Sequence, residues 1–154
     1  MGNLNDGVDS TGGHIVFLTN SNQKECAVLD WQANKIKRVV RSTLAAEALS
    51  LCDGLETALH IRSVLEDTLN LPEKTIKIHG IVDNRSTVDA VKSTTVVDDK
   101  RLRREIGGVK QLLERGEISS ISWVPGSDQL ADVLTKRGVN NCNLLNVIQA
   151  GCFK

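Results

Sequence analysis

Residues 76–88 read IKIHGIVDNRSTV, and the order of apolar and polar positions in them decides the fold class. Ile76 to Val82 is an apolar run of the length of a buried strand, and Asp83-Asn84 is a turn pair. Ser86 to Lys92 follows with the composition of a short helix. Further on, Asp98 or Asp99 is placed to cap a helix over Lys100 to Arg115, which Gly116 stops. Ile118 to Val124 is another strand, ended by Pro125-Gly126. A strand that returns to a second strand through helices predicts a parallel pair, and with it an α/β domain.

The same reading extends to both ends of the chain. A long helix is predicted from Ser42 to Leu69, with Ser42 or Thr43 as its cap and Leu71-Pro72 as its end. Leu44, Ala48, Leu51, Leu55, Leu59 and Val64 recur at spacings of three to five, an apolar stripe on one side. Before that helix, His14 to Thr19 and Lys24 to Trp31 form a hairpin around Ser21-Asn22. Lys35 to Arg41 (KIKRVVR) either extends the hairpin or leads onward. Residues 1–13 (MGNLNDGVDSTGG) are small, polar and glycine-rich, and are expected to be a loop outside the sheet. After Pro125-Gly126, Ser127 caps a short helix through Lys136, and Leu144 to Ile148 adds a last turn. The 154 residues therefore read as one domain, with a loop over 1–13, a core over 14–137 and a tail over 138–154.

Charge and composition narrow the function. With 19 basic and 19 acidic residues the formal net charge is zero, so any contact with nucleic acid must come from a local patch. Phe17, Trp31, Trp123 and Phe153 are too few aromatics for a base-stacking platform. Cysteines 26, 52, 142 and 152 form no CxxC pair and have no histidine at zinc spacing, and they are expected to be reduced thiols of an intracellular protein. No apolar run approaches the roughly 18 residues of a membrane span. There is no phosphate-binding glycine loop and no spacing that suggests a nucleophile triad.

Three carboxylates and one basic cluster carry the possible chemistry. Glu47 shares the side of Leu44 and Leu51, where a charge needs a partner because an unpaired buried charge is costly. Lys35, Lys37 and Arg38 are candidates for that partner, and an exposed boundary glutamate is the alternative. Asp83 ends its strand, where ligands gather in open α/β sheets, although Asp-Asn also forms a turn unaided. Asp132 stands early in the helix after Ser127, where the helix dipole alone favours a negative charge. Lys100, Arg101, Arg103 and Arg104 open a helix, either as a solvated face or as a phosphate-contacting patch.

Taken together these segments resemble the ribonuclease H-like domain of copia-type LTR retrotransposon Pol polyproteins. RSTLAAEALSL at 41–51 resembles the family's SSTEAEYIAL, with Glu47 at its glutamate. IVDNRSTV at 81–88 resembles CDNQSAI, with Asp83 at its aspartate. WVPGSDQLADVLTK at 123–136 resembles YVPTEEQLADILTK almost residue for residue, with Asp132 at its last metal ligand. NLLNVIQAG at 143–151 is similar to the closing helix. The order and spacing of the motifs cover about 100 residues.

The resemblance implies a ribonuclease H-like α/β fold, a mixed sheet of five strands flanked by helices. It implies cleavage of the RNA strand of RNA–DNA hybrids with Mg²⁺ or Mn²⁺, held by Glu47, Asp83 and Asp132. Two such ions roughly 4 Å apart require clustered anionic oxygens. It also implies a reverse transcriptase domain of the same polyprotein as partner, and no membrane. Residues 2–18 match the family from just after an apolar strand that carries its first aspartate in a DAS or DAD context. The expectation is therefore a domain lacking its first, central strand and that ligand, with Asp6 and Asp9 in the loop, and without significant nuclease activity. Residues 100–105 read KRLRRE where the family often has TKHID. A different class of function is a host-retained, non-enzymatic nucleic-acid-binding or interaction module.

Overall fold

The structure is a computed structural model that describes residues 11–36, 43–94 and 97–153. The predicted hairpin is present as β1 (Thr11–Thr19) and β2 (Cys26–Lys35), antiparallel, with Ile15 opposite Trp31 and a bulge between Val16 and Phe17. Asn20 organises the turn, its side-chain oxygen accepting from the backbone N–H of Lys24 at 3.1 Å. The expected loop over 1–13 is corrected at its end, because Thr11 to Gly13 belong to β1. Glycine is required there for closeness rather than for turning. A Cβ on Gly12 would overlap the Ser50 hydroxyl, and one on Gly13 would lie 2.7 Å from the Thr135 methyl. Residues 1–10, Ser42 as a cap and residues 37–41 of the basic run lie outside the described residues.

Helix α1 (Thr43–Leu69) is the spine of the domain. Ala48, Leu51 and Leu55 are buried as the stripe predicts, but Val64 is exposed. The buried side continues instead through Arg62 and Glu66, which the apolar reading passed over. Arg62 donates to the Glu117 carboxylate at 2.5 Å and to its backbone carbonyl at 2.6 Å, and Lys74 reaches the same carboxylate at 2.9 Å. Glu66 accepts from the N–H groups of Ile76 at 2.8 Å and Lys74 at 3.0 Å. Those bonds tie residues 74–76 to the helix, and the strand predicted from Ile76 begins only at His79.

Strand β3 (His79–Val82) pairs in parallel with β4 (Ser120–Trp123), from His79 opposite Ser120 to Val82 opposite Trp123. The connection runs through α2 (Arg85–Lys92) and α3 (Lys100–Glu114), the crossover expected for a parallel pair. Asn84 caps α2, accepting from Thr87 N–H, and Asp99 caps α3, accepting from the N–H groups of Arg101 and Leu102. Gly116, at φ 67°, takes the left-handed position that ends α3. Val82, Val88, Val91, Leu102, Ile106, Val109, Ile118 and Ile121 close the core against α1.

The sheet is interrupted between β1 and β3. Among the described residues there are two two-stranded sheets, β1 with β2 and β3 with β4. A cleft of about 640 Å³ lies between them, floored by Leu51, Leu55 and Ala58 of α1. Every residue of 13–19 and of 76–82 lines it, as strand edges do; a strand face would offer only alternate residues. The helix predicted from Ser127 to Lys136 is also corrected. It divides into a 3-10 turn (Gly126–Asp128) without a side-chain cap and a single α-turn, α4 (Asp132–Thr135). The last turn predicted near 144–148 is a fuller helix, α5 (Cys142–Ala150), closed by Gly151.

Candidate active site

Three separate elements bring the predicted carboxylates together. Glu47 stands in the first turns of α1, Asp83 directly follows β3, and Asp132 opens α4. Because Asn84 caps α2, the Asp83 side chain is not spent on the turn. The backbone of Asp83 is held from the other strand, its carbonyl accepting the Trp123 indole N–H at 2.9 Å. Val124 N–H reaches the Val82 carbonyl at 2.9 Å and extends the ladder to the same point.

Lys136 joins these acids, and the sequence reading did not single it out. Its Nζ lies 2.6 Å from Asp132 Oδ2 and 3.7 Å from Asp83 Oδ2. The hydrogen bond with Asp132 is the main cause that holds the Lys136 ammonium above its ordinary range; burial opposes it, while Asp132, Asp83 and Glu47 add their fields. Glu47 is half-buried, and burial is the main cause that raises its pKa. The Asp83 charge raises it further, Lys136 lowers it, and Asp132 raises it again. Among the described residues, the cation whose charge acts on Glu47 is Lys136, distant in sequence. Lys37 and Arg38, two of the expected partners, lie outside the described residues. The clue available in the sequence was the Asp132–Lys136 spacing of four on one helical turn.

The donor set suits a hard divalent cation in ligand type, since carboxylate oxygens are the groups Mg²⁺ and Mn²⁺ take. An ammonium held by Asp83 and Asp132 marks a point where positive charge is favoured. In its present spacing the set is arranged around that ammonium. Among the described residues, no group of three or more His, Cys, Asp or Glu is placed to hold a metal ion.

The basic cluster is divided in use. Lys100, Arg101, Arg103 and Arg104 are all exposed at the start of α3. Arg103 turns back on its own helix start, donating to the Val97 carbonyl at 2.7 Å and the Asp98 carbonyl at 3.5 Å. No helix among the described residues is long and apolar enough to cross a membrane, and the four cysteines are free thiols.

Neither a protein-family model nor a curated protein matches the sequence. Solved structures match by shape. RNase H1 from the halophilic archaeon Halobacterium salinarum aligns with a TM-score of 0.53 at 17% identity, over 82% of this chain and 94% of that one. The N-terminal RNase H domain of Rv2228c from Mycobacterium tuberculosis, solved as a fusion with maltose-binding protein, aligns with a TM-score of 0.53 at 14% identity. That alignment covers 93% of this chain and 96% of the other. The fold is ribonuclease H-like, a mixed α/β arrangement with small sheets flanked by helices.

Proposed function

We propose that this chain is a ribonuclease H-like domain of copia-type retrotransposon origin, related to enzymes that cut the RNA strand of RNA–DNA hybrids. In this reading Glu47, Asp83 and Asp132 are the carboxylates of a Mg²⁺ or Mn²⁺ site. The observation that carries it is the meeting of Asp83 and Asp132 on one nitrogen, with Glu47 in the same field. Three acids from three elements gathered at a strand end are costly to assemble for stability alone, because like charges repel.

When bound, the divalent ion would supply an activated water and stabilise the charge on the leaving 3′ oxygen. The chain's own contribution is placement. Asp83 is fixed through its backbone by Trp123, and Asp132 by the single turn of α4. Glu47 is partly shielded from water, which strengthens its pull on any cation. Lys100, Arg101 and Arg104 would meet backbone phosphates, and hybrid shape and 2′-hydroxyls would distinguish the RNA strand without base readout. A reverse transcriptase domain of the same polyprotein is the natural partner, and the location is intracellular.

With three carboxylates, and Lys136 among them, the chain alone is proposed to have no significant nuclease activity. The test is a hybrid-cleavage and hybrid-binding assay in Mg²⁺ and Mn²⁺, run beside Glu47→Gln. Hybrid binding that depends on metal, without turnover, is the expected result. Robust cleavage abolished by Glu47→Gln would overturn the inactivity and keep the site. Binding that ignores both metal and Glu47 would favour a non-enzymatic module.

A further inference from the structure

We propose that the ammonium of Lys136 is a built-in counter-cation of the carboxylate site, and that a divalent ion enters only by displacing it. The inference rests on the reading of Glu47, Asp83 and Asp132 as metal-binding groups. A lysine four residues after an aspartate on a helical turn is common on protein surfaces and accounts for the 2.6 Å contact with Asp132 by itself. It does not account for the 3.7 Å contact with Asp83, which comes from a different element, or for the field that Lys136 exerts on Glu47. The nitrogen stands between Asp132 and Asp83, which come from different elements, beyond what a pair along one helix needs.

Exposure distinguishes the fixed members of the cluster from the movable one. The Asp83 and Asp132 side chains are 14% and 16% exposed, whereas that of Lys136 is 52% exposed. A lysine is a compact, strongly hydrated charge on a flexible four-carbon stem. It can turn its head into water while the aspartates keep their places. One positive charge offsets only part of the charge of three carboxylates, and a divalent ion offsets more. Lys136 therefore keeps the acids together in the absence of metal and raises the metal concentration needed to replace it.

Calorimetric titration of Mn²⁺ and Mg²⁺ at constant ionic strength tests this on the parent, Lys136→Met and Lys136→Arg, each checked for folding by its melting curve. Lys136→Met is expected to bind metal about tenfold more tightly or better, because the opposing charge is gone. Lys136→Arg should remain near the parent. A second measurement needs no variant: acylation of individual lysines followed by mass spectrometry. Saturating Mg²⁺ should speed modification of Lys136 several-fold while leaving exposed Lys92 unchanged. Equal affinity in the parent and Lys136→Met, or a Lys136 acylation rate indifferent to bound metal, overturns this inference and leaves the metal reading standing. Absence of metal binding in every chain overturns that reading, and this inference with it.

Discussion

Trp123, the last residue of β4, donates its indole N–H to the backbone carbonyl of Asp83, the residue just after β3, at 2.9 Å. The bond spans the two strands one step beyond their ladder and sets where Asp83 leaves the sheet. The Arg85 guanidinium lies 5.5 Å from the centre of the same ring and steadies it. Trp123→Phe keeps an aromatic face and removes the donor. It is expected to cost about 0.5–1.5 kcal/mol, toward the lower end because the ring is partly exposed, and to lower the melting temperature by a few degrees. Mn²⁺ affinity should fall with it. An unchanged metal titration would show that this bond does not position Asp83.

The Arg62–Glu66–Glu117–Lys74 network makes stability depend on acid. Hydrogen bonds from Lys74 and Arg62 hold the Glu117 carboxyl below its usual range. The Ile76 N–H is the largest cause of the same shift at Glu66. For carboxylates lowered in the folded state, the stabilisation is complete above the unfolded value, about 4.3 for glutamate, and is lost as pH falls through the lower folded values. Melting temperature should thus hold steady from neutral pH to about pH 5 and drop below about pH 4. Glu66→Gln should melt lower at neutral pH and show a shallower acid slope. Parallel slopes in parent and variant would remove Glu66 from the account.

Ile106 of α3 is 2% exposed and lies in the core shared with α1 and α2. Ile106→Ala should cost about 2–5 kcal/mol through lost transfer energy and the cavity left behind. That is a large part of the roughly 5–15 kcal/mol that holds an ordinary domain together. Urea unfolding should show a lower midpoint at unchanged slope.

Cysteine reactivity should follow burial. Burial pushes the Cys52 thiol up to about 12, with the Glu105 charge and a hydrogen bond to that residue adding to it. At pH 8 roughly one Cys52 in ten thousand would be thiolate. Alkylation of the native chain should therefore label exposed Cys142 early and Cys52 last. Early labelling of Cys52 would mean that α1 and α3 separate readily at that point.

The α/β class, the parallel β3–β4 pair and the caps at Asn84 and Asp99 follow from local signals: apolar runs, turn pairs and short polar side chains before helices. What failed was non-local. Gly12 and Gly13 read as loop because glycine usually marks turns, yet they serve a strand pressed against Ser50 and Thr135. The apolar stripe does not mark Arg62 and Glu66, because their partners are 55 residues away or made of backbone N–H groups beyond the helix. Asp83 and Asp132 were visible as candidates through their motifs, but Lys136 between them was not, since nothing in a one-dimensional pattern places a residue after α4 beside the end of β3.

The basic start of α3 gives a prediction that separates charge from structure. Leu102, Ile106 and Val109 face the core, and Arg104 lies on the opposite side of the helix with Lys100 and Arg101 beside it. Arg103 is engaged with the carbonyls of Val97 and Asp98. If the exposed cations meet the phosphates of a hybrid, Arg101→Ala and Arg104→Ala should each weaken binding several-fold and reduce the slope of log affinity against log salt by about 1. The loss should be alike for every hybrid sequence, because phosphate contacts carry no base information. Arg103→Ala should instead lower the melting temperature through the helix start and leave the salt slope unchanged. The measurement is fluorescence anisotropy of a labelled hybrid over a range of salt concentrations. Identical slopes for Arg101→Ala, Arg104→Ala and the parent would assign this face to solvent.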